Sequence, residues 1–190
     1  MSVMQNKNRP QKGVLLISKP LIGDGFFEQS VVYLTAHGKD GSLGLTLNKN
    51  SSLLAQDFMN QLPGEDPIYY GGRVEQDALF YLHTMDTLNG AKQAGNGLYL
   101  GGDYTVLQEA IRTARELNLE SVRCKFFLGY SGWAAGQLEE EISQGTWIVL
   151  KPPFEIEPLE LTSEAWRKYM KTLGGEFALW ANAPEDPWMN

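Results

Sequence analysis

The sequence predicts an α+β fold in which helices flank a largely antiparallel sheet. In the first half of the chain, short apolar or alternating runs follow one another with only turn residues between them, which is typical of strands paired as hairpins. The clearest helical periodicities come later, and this order favours α+β over a doubly wound α/β fold. A length of 190 residues and an apolar share of 43% suit one domain with a substantial core.

We place no domain boundary, because the chain contains no internal repeat and no low-complexity linker. Residues 1–12 are polar and are predicted to form a flexible tail. Residues 183–190 contain two prolines and are predicted to form a second loose end. Residues 13–182 are therefore predicted to be the single folded domain.

The first strands are predicted from continuous or alternating apolar residues. The short run Val14–Ile17 suits a strand that is buried on both faces, and Ser30–Ala36 is predicted to be a second strand. The loop His37–Gly41 ends in Asp-Gly, a strong hairpin-turn pair. The next strand has one apolar face, formed by Leu43, Leu45 and Leu47. We expect it to pair antiparallel with the strand before the loop.

The middle of the chain combines one predicted helix with short strands. Leu53–Leu62 is predicted to be a helix, with Ser51 or Ser52 as its N-cap. Further strands are predicted at Ile68–Tyr70 and Ala78–Thr84, around a turn at Gly71 and Gly72, and at Leu98–Leu100.

Two helices in the second half have a strong apolar periodicity. The first is predicted at Tyr104–Leu117, where Asp103 can cap the first turn. Its apolar stripe consists of Leu107, Ala110, Ile111, Ala114 and Leu117. The second is predicted at Ser163–Leu173 and should end at the glycine pair that follows it.

Between these helices, an alternating strand is predicted at Val122–Leu128. Cys124 belongs to its apolar face, where a free thiol behaves as a small hydrophobic group. The opposite face, with Arg123, Lys125 and Phe127, is expected to be solvated, although a basic pair beside an aromatic ring also suits contacts to nucleic acid. A helix at Trp133–Gln144 and a strand at Thr146–Leu150 are predicted to follow.

Composition argues against several classes of function. The net charge of −7, from 16 basic and 23 acidic residues, counts against a generic nucleic-acid binder. The single cysteine rules out an internal disulfide. We expect no metal, because His37 lies in a predicted hairpin loop and His83 in a separate predicted strand. The chain has no apolar run long enough for a signal peptide or a membrane span, so we expect a cytoplasmic protein without membrane contact.

The segment Gly129–Trp133 is predicted to turn from a strand into a helix, which is the setting of a serine nucleophile elbow. The elbow pattern G-x-S-x-G fails at its last position, where Trp133 stands, and only two histidines are present as possible bases. The simpler interpretation is that Ser131 caps the helix. The sequence therefore favours a protein without catalytic residues.

The same turn also suits a small-ligand cleft, because free backbone N–H groups at the start of a helix attract anions. Trp133, Gln137 and Glu141 recur every four residues and share one flank of that helix. The alternative is that Trp133 is core and Gln137 a buried structural hydrogen-bonding group. The candidate ligand-binding residues are Asp24, His37, Tyr130, Ser131, Gly132, Trp133, Gln137 and Glu141.

Three sequence blocks, in order, resemble the AlgH/YqgE family of bacterial proteins. They are PLIGDGFFEQSVVYLTAHGKDGSLGLTLNK, YYGGRVEQDALFYLH and LGYSGWAAGQLEEEISQGTWIV. The matched family positions include Asp24, Phe27, His37, Asn48, Gly71, Gly72, Tyr130, Trp133, Gln137 and Glu141. The resemblance extends over residues 13–180 and implies an α+β fold around a bulged, coiled antiparallel sheet. The family often has Ala where Ser131 stands, which weakens a catalytic role for that hydroxyl.

The resemblance implies no established activity, enzyme chemistry or cofactor. Some family members carry the label of transcriptional regulators, so the first hypothesis is a non-enzymatic regulatory or binding protein. The alternative is a small-molecule-binding protein or an enzyme with a cleft near Tyr130–Gln137. Possible partners are another protein or a small anionic ligand, and we do not expect direct, specific binding to DNA.

Overall fold

A computed structural model of the chain describes residues 9–20, 23–59, 62 and 64–182. Ten strands lie within these residues: β1 (Leu15–Ser18), β2 (Val31–Gly38), β3 (Gly41–Thr46), β4 (Asn50–Leu54), β5 (Pro67–Tyr70), β6 (Val74–His83), β7 (Lys92–Gly95), β8 (Leu98–Leu100), β9 (Cys124–Trp133) and β10 (Trp147–Leu150). Four α-helices accompany them: α1 (Tyr104–Glu116), α2 (Gln137–Ser143), α3 (Ala165–Leu173) and α4 (Gly175–Trp180). The predicted tails lie outside the described residues, apart from residues 9–12.

The strands form one sheet in the order β10-β1-β2-β3-β9-β6-β8-β7, and these neighbours are antiparallel. Strand β9 is long enough to pair along one edge with both β3 and β5, and the β5–β9 pair is parallel. Register shifts interrupt the ladders of β2 with β3 and of β6 with β9. The predicted α+β class with a bulged, largely antiparallel sheet is confirmed.

Three apolar clusters lie on the sheet, and each contains buried residues of a different helix. The first packs α3 against β1 and β2, and the Trp166 indole donates a hydrogen bond to the Ser18 carbonyl at 2.8 Å. The second packs α1 against Ile68 and Phe126. The third joins Leu138 of α2 to the indoles of Trp133 and Trp147. The predicted stripe of α1 is buried at Leu107, Ile111 and Ala114, half-buried at Ala110 and exposed at Leu117.

The predicted helix at Leu53–Leu62 is wrong over its first residues. Strand β4 continues to Leu54, and only one 3-10 turn, Ala55–Asp57, follows within the described residues. Backbone pairing with β5 decides this outcome, because it fixes Asn50 opposite Tyr69 and Leu54 opposite Pro67. Tertiary pairing overrides the weak helical pattern of a short segment.

The predicted turn at Gly129–Trp133 is also wrong, and the predicted helix at Trp133–Gln144 is confirmed only over Gln137–Ser143. Strand β9 continues through Trp133, because Ser131 and Trp133 pair with Gly44 and Ser42 of β3. Helix α2 begins only at Gln137, so Ser131 cannot cap it. The expected solvated face of this strand is buried at Lys125 and Phe127. Strand β7 and helix α4 were not predicted from the sequence.

Candidate functional site

The predicted ligand-binding residues do not form one cleft. Tyr130 packs edge-on against Phe80, with 5.4 Å between ring centroids, in the cluster that holds α3. Trp133 packs into the cluster that holds α2. Residues three apart on a strand point to opposite faces of the sheet, which explains the separation. Gly132 is exposed and lies between them in the chain.

The Glu141 carboxylate is the centre of a hydrogen-bonded group. One of its oxygens accepts bonds from the indole N–H groups of Trp133 and Trp147, at 2.9 and 2.8 Å. The other accepts a bond from the Gln137 side-chain amide at 2.9 Å. The Gln137 carbonyl accepts a bond from the Ala134 backbone N–H at 2.9 Å. These bonds hold α2 against the sheet, and they engage the polar atoms that the predicted cleft would need.

The loop Gly23–Ser30 is anchored on this group by aromatic contacts. The Phe27 ring stacks on Trp133 at 6.2 Å and meets Trp147 edge-on at 5.5 Å. Phe26 meets Phe27 edge-on at 5.0 Å. The Glu141 group therefore positions the Gly23–Ser30 loop through Phe27, and the preceding residue, Phe26, contacts the Phe27 ring and not the two indoles.

Asp24 organises the same loop. Its Oδ1 accepts a bond from the Phe26 backbone N–H at 3.1 Å and lies 2.8 Å from a guanidinium nitrogen of Arg73. The Arg73 guanidinium also lies over the Phe26 ring, 5.7 Å from its centroid. Asp24 and Arg73 thus fix Phe26 from two sides.

His37 and Ser131 have local partners. His37 Nδ1 lies 2.8 Å from the Ser42 hydroxyl, and its Nε2 lies 3.6 Å from Glu139 Oε1. The Ser131 hydroxyl is 1% exposed and donates to the Gly71 carbonyl at 2.9 Å. The other histidine, His83, pairs with the start of β9, seven residues before Ser131. This geometry disfavours a serine nucleophile, because no histidine base contacts the hydroxyl among the described residues.

Glycine is required where the β5–β6 turn crosses β9. A Cβ on Gly72 would lie 1.9 Å from the Tyr130 carbonyl carbon, and one on Gly71 would lie 2.2 Å from the Gly129 oxygen. The backbones meet too closely for any side chain. Tyr70, the residue before Gly71, lies beside the Gly23–Ser30 loop.

A polar cavity of about 340 Å³ opens next to that loop. We call it the Lys49 pocket, and it is lined by Gly25, Phe26, Gln29, Asn48, Lys49, Asn50, Tyr70 and Ser163. Asn48 shapes its floor, because its side chain donates to the Gln29 carbonyl and accepts from the Val31 N–H, both at 2.8 Å. The Lys49 ammonium donates to the Glu28 carbonyl at 2.5 Å.

Sequence reasoning missed the Lys49 pocket, although a signal was present. Five of its eight lining residues fall within the first block that resembles the family, at the two ends of that block. Pairing of β1, β2 and β3 brings the two ends together. The search for candidate residues followed charge and helical spacing, and these do not mark a pocket formed by a loop and a strand end.

A second cavity, of about 570 Å³, lies along α1 and the segment 119–122. It is lined by Thr105, Val106, Glu109, Ala110, Thr113, Ala114, Leu119, Ser121 and Val122. Its walls are mostly apolar, and none of the predicted site residues reaches it. It therefore offers few groups that would orient a small polar ligand.

Two buried basic side chains lie outside these cavities. Burial lowers the pKa of Lys125 to about 7, although its ammonium donates to the Leu161 carbonyl and lies 3.8 Å from the centre of the Tyr69 ring. Burial also lowers the pKa of His83, whose Nε2 lies 2.8 Å from the Gly101 carbonyl. Burial raises the pKa of the Cys124 thiol, which disfavours a reactive thiolate.

Within the described ranges, no group of three or more His, Cys, Asp or Glu side chains is placed to hold a metal ion. No helix in the described part of the chain is both long and apolar enough to cross a membrane.

The chain is similar to a known family of proteins over most of its length. The profile of the AlgH-like family matches residues 15–178. A UPF0301 protein of Bacteroides thetaiotaomicron is 34% identical over 190 residues, covering 99% of this chain and 95% of the relative. A UPF0301 protein of Cytophaga hutchinsonii is 37% identical over 182 residues, covering 94% of this chain and 98% of the relative.

Two solved structures are similar over nearly the whole chain. The solution structure of the AlgH protein from Pseudomonas aeruginosa has a TM-score of 0.65 and 28% identity, covering 94% of this chain and 97% of that one. The crystal structure of protein DIP2367 from Corynebacterium diphtheriae has a TM-score of 0.73 and 20% identity, covering 93% and 94%. The second likeness concerns the fold alone.

Proposed function

This chain belongs to the AlgH-like family, and from that premise we propose that it is a regulatory binding protein, without catalysis of its own, whose small ligand occupies the Lys49 pocket. The names of its relatives state no activity, so the proposal rests on the site. The observation that carries it is the position of the Gly23–Ser30 loop. Phe26 lines the pocket, while the adjacent Phe27 packs on the Trp133–Trp147–Glu141 group.

The polar side chains of the cleft predicted from sequence are already hydrogen-bonded to one another, which supports the Lys49 pocket as the ligand site. Glu141, Gln137 and the two indoles satisfy one another. Releasing Glu141 toward a ligand would leave the two buried indole N–H groups unpaired, which costs roughly 1–3 kcal/mol per group. The Lys49 pocket is an open volume of about 340 Å³ beside the Gly23–Ser30 loop. In this proposal Asp24, Trp133, Gln137 and Glu141 are positioning residues that hold the loop.

The proposal also separates regulation from direct DNA contact. Two arginines on α1 and one just before β9 are engaged by carboxylates: Arg112 by Glu109 and Glu116, Arg115 by Asp66, and Arg123 by Glu160. Their charges are therefore locally balanced, which disfavours a basic surface for phosphates. A ligand that shifts the Gly23–Ser30 loop would also shift its contacts with Trp133 and Trp147, the indoles that are bonded to Glu141 of α2. A protein partner would then bind the ligand-bound conformation of the loop differently from the ligand-free one.

The test is a melting screen of the full chain against a chemically mixed fragment library. A fragment present at 100 times its Kd should add about 2.7 kcal/mol to the free energy of unfolding. The shift should be lost in Tyr70→Ala, in the pocket wall, and retained in Tyr104→Ala. Tyr104 is a matched control, because these tyrosines are 41% and 37% exposed and Tyr104 begins α1. Fragments that stabilise both variants equally would contradict the proposed site.

A further inference from the structure

We infer that the dipeptide Asn89–Gly90 is a site of spontaneous modification, at which the Asn89 side-chain amide is converted to a carboxylic acid through a cyclic imide. The chain has two exposed Asn-Gly dipeptides, Asn89–Gly90 and Asn96–Gly97. This reaction meets little steric hindrance in Asn-Gly pairs, because glycine has no Cβ beside its backbone nitrogen. The surroundings of the two dipeptides differ, and they leave only the first one free to react.

The reaction requires a backbone nitrogen and a side-chain carbon to meet. The Gly90 nitrogen, after losing its proton to hydroxide, attacks Asn89 Cγ, so that a five-membered imide closes and ammonia leaves. Water then opens the imide at either carbonyl, which gives aspartate or isoaspartate. One water is consumed and one ammonia is released, and no other co-reactant is needed. The Gly90 N–H must therefore be unbonded, and the Asn89 amide must be able to turn.

Both conditions are met at Asn89–Gly90. Within the described part of the chain, neither the Asn89 side-chain amide nor the Gly90 N–H has a hydrogen-bond partner. The surrounding turn is closed by a bond from the Ala91 N–H to the Leu88 carbonyl at 3.1 Å, and Gly90 takes its left-handed position with a φ of 77°. Because Asn89 and Gly90 are both exposed, water and hydroxide reach the reacting groups.

The Asn96 amide is held in place instead. Its Nδ2 donates to the Gly13 carbonyl at 2.6 Å and to the Tyr33 hydroxyl at 3.2 Å. The backbone is fixed as well, because Asn96 and Gly97, with φ of 52° and 72°, form the tight turn between the paired strands β7 and β8. Both side-chain bonds must break before Cγ can turn toward the Gly97 nitrogen, which slows the reaction about tenfold or more.

Modification of Asn89 affects the start of α1. The Asn89 carbonyl accepts a bond from the Asp103 N–H at 2.8 Å, and the Asp103 side chain caps α1 by accepting from the Val106 N–H at 3.1 Å. Isoaspartate routes the main chain through the former side chain and lengthens it by one methylene group, so the carbonyl that holds Asp103 leaves the main chain. The aspartate product keeps the backbone and this bond. Isoaspartate therefore loosens the N-terminus of α1, and aspartate does not.

The test is incubation of the full chain in warm buffer at pH 9, followed by peptide mass spectrometry that separates aspartate from isoaspartate. In the folded chain, Asn89 should be converted about tenfold or more faster than Asn96, since only the Asn96 amide is hydrogen-bonded. In concentrated urea the two rates should become similar, because the dipeptides are chemically alike. Tyr33→Phe removes one of the bonds to Asn96, so it should raise the rate at Asn96 and leave the rate at Asn89 unchanged.

Melting temperatures test the consequence for α1. The fraction that contains isoaspartate at position 89 should melt about 2–4 °C below the unmodified chain, as expected for the loss of one hydrogen bond in a protein of this size. Asn89→Asp should melt like the wild type, and Asn89→Gln should stop the conversion at this position, because glutamine would have to close a larger ring. Equal rates at Asn89 and Asn96 in the folded chain, or a faster rate at Asn96, would overturn the inference. An isoaspartate fraction that melts like the wild type would overturn the effect on α1.

Discussion

Lys125 should make the stability of this protein rise with pH above neutrality. The side chain is 5% exposed, and burial lowers its pKa from 10.5 to about 7 in the folded chain. In the unfolded chain it regains the ordinary value. Between pH 7 and 10.5 the unfolded state therefore binds more protons than the folded state, so the free energy of unfolding increases as pH rises through this window. Below pH 7 both states are protonated, and the contribution is constant at its least favourable level.

The full difference between 10.5 and about 7 corresponds to about 5 kcal/mol. Half-protonation near pH 7 leaves about 2 kcal/mol to be gained between pH 7 and pH 9. The groups around the ammonium are the Tyr69 ring and the Leu161 carbonyl, with Leu82 opposite on β6. None of these three carries a charge near pH 7, so none opposes the loss of the proton by ion pairing.

The assay is urea unfolding at pH 6, 7, 8 and 9 for the wild type, Lys125→Met and Lys168→Met. Lys168 is exposed on α3 and should keep the wild-type pH dependence. Lys125→Met should lose about 2 kcal/mol of the gain between pH 7 and pH 9, since methionine fills the site without a charge. Subtracting the profiles removes groups common to both chains, including His83 and Cys124. Equal slopes in the wild type and Lys125→Met would refute the reasoning, because the ammonium would then keep its charge on Tyr69.

Three further outcomes follow from the site. Glu141→Ala should lower the free energy of unfolding by roughly 2–4 kcal/mol, because two buried indole N–H groups lose their acceptor, and Glu141→Gln should lose less; urea unfolding followed by tryptophan emission measures both, and equal losses would argue against the indole bonds. Gly72→Ala should destabilise by at least about 3 kcal/mol, because the new Cβ would lie 1.9 Å from the Tyr130 carbonyl carbon, whereas Gly38→Ala enters open space and should change little. The purified protein should not bind DNA specifically, and gel shifts at ~50 and ~200 mM salt test this, since phosphate-only binding falls by orders of magnitude across that range; selective binding that survives the higher salt would contradict the account.

The β2–β3 hairpin and the helices α1 and α3 were predictable because their patterns are local. The β2–β3 hairpin follows from the Asp-Gly turn and the alternation after it, and α1 follows from its apolar stripe and the Asp103 cap, which accepts from the Val106 N–H at 3.1 Å. Burial of Lys125 was not predictable in this way. Its face becomes interior only because the segment before α3 covers it at Leu161, 36 residues further along the chain.

The spacing along the chain pointed to the Glu141 group and not to the Lys49 pocket. Trp133 and Gln137 each donate a hydrogen bond to Glu141, although Trp133 lies on β9 and the helix starts later. The spacing could not distinguish a ligand cleft from a structural group. The second indole N–H that donates to Glu141 belongs to Trp147 of β10, outside the helical pattern. The Lys49 pocket depends on pairings between distant segments, and no spacing along the chain encodes them.

The most direct test of the central claim is an NMR titration of the full chain, labelled with nitrogen-15, against a fragment that passes the melting screen. The account predicts that backbone amide shifts concentrate at Gly25, Phe26, Lys49, Asn50 and Tyr70, with smaller changes carried through Phe27 to the amides of Trp133 and Trp147. Shifts confined to Gly129–Trp133 and α2, with the amides of the Lys49 pocket unmoved, would contradict it and would return the site to the cleft that the sequence first indicated.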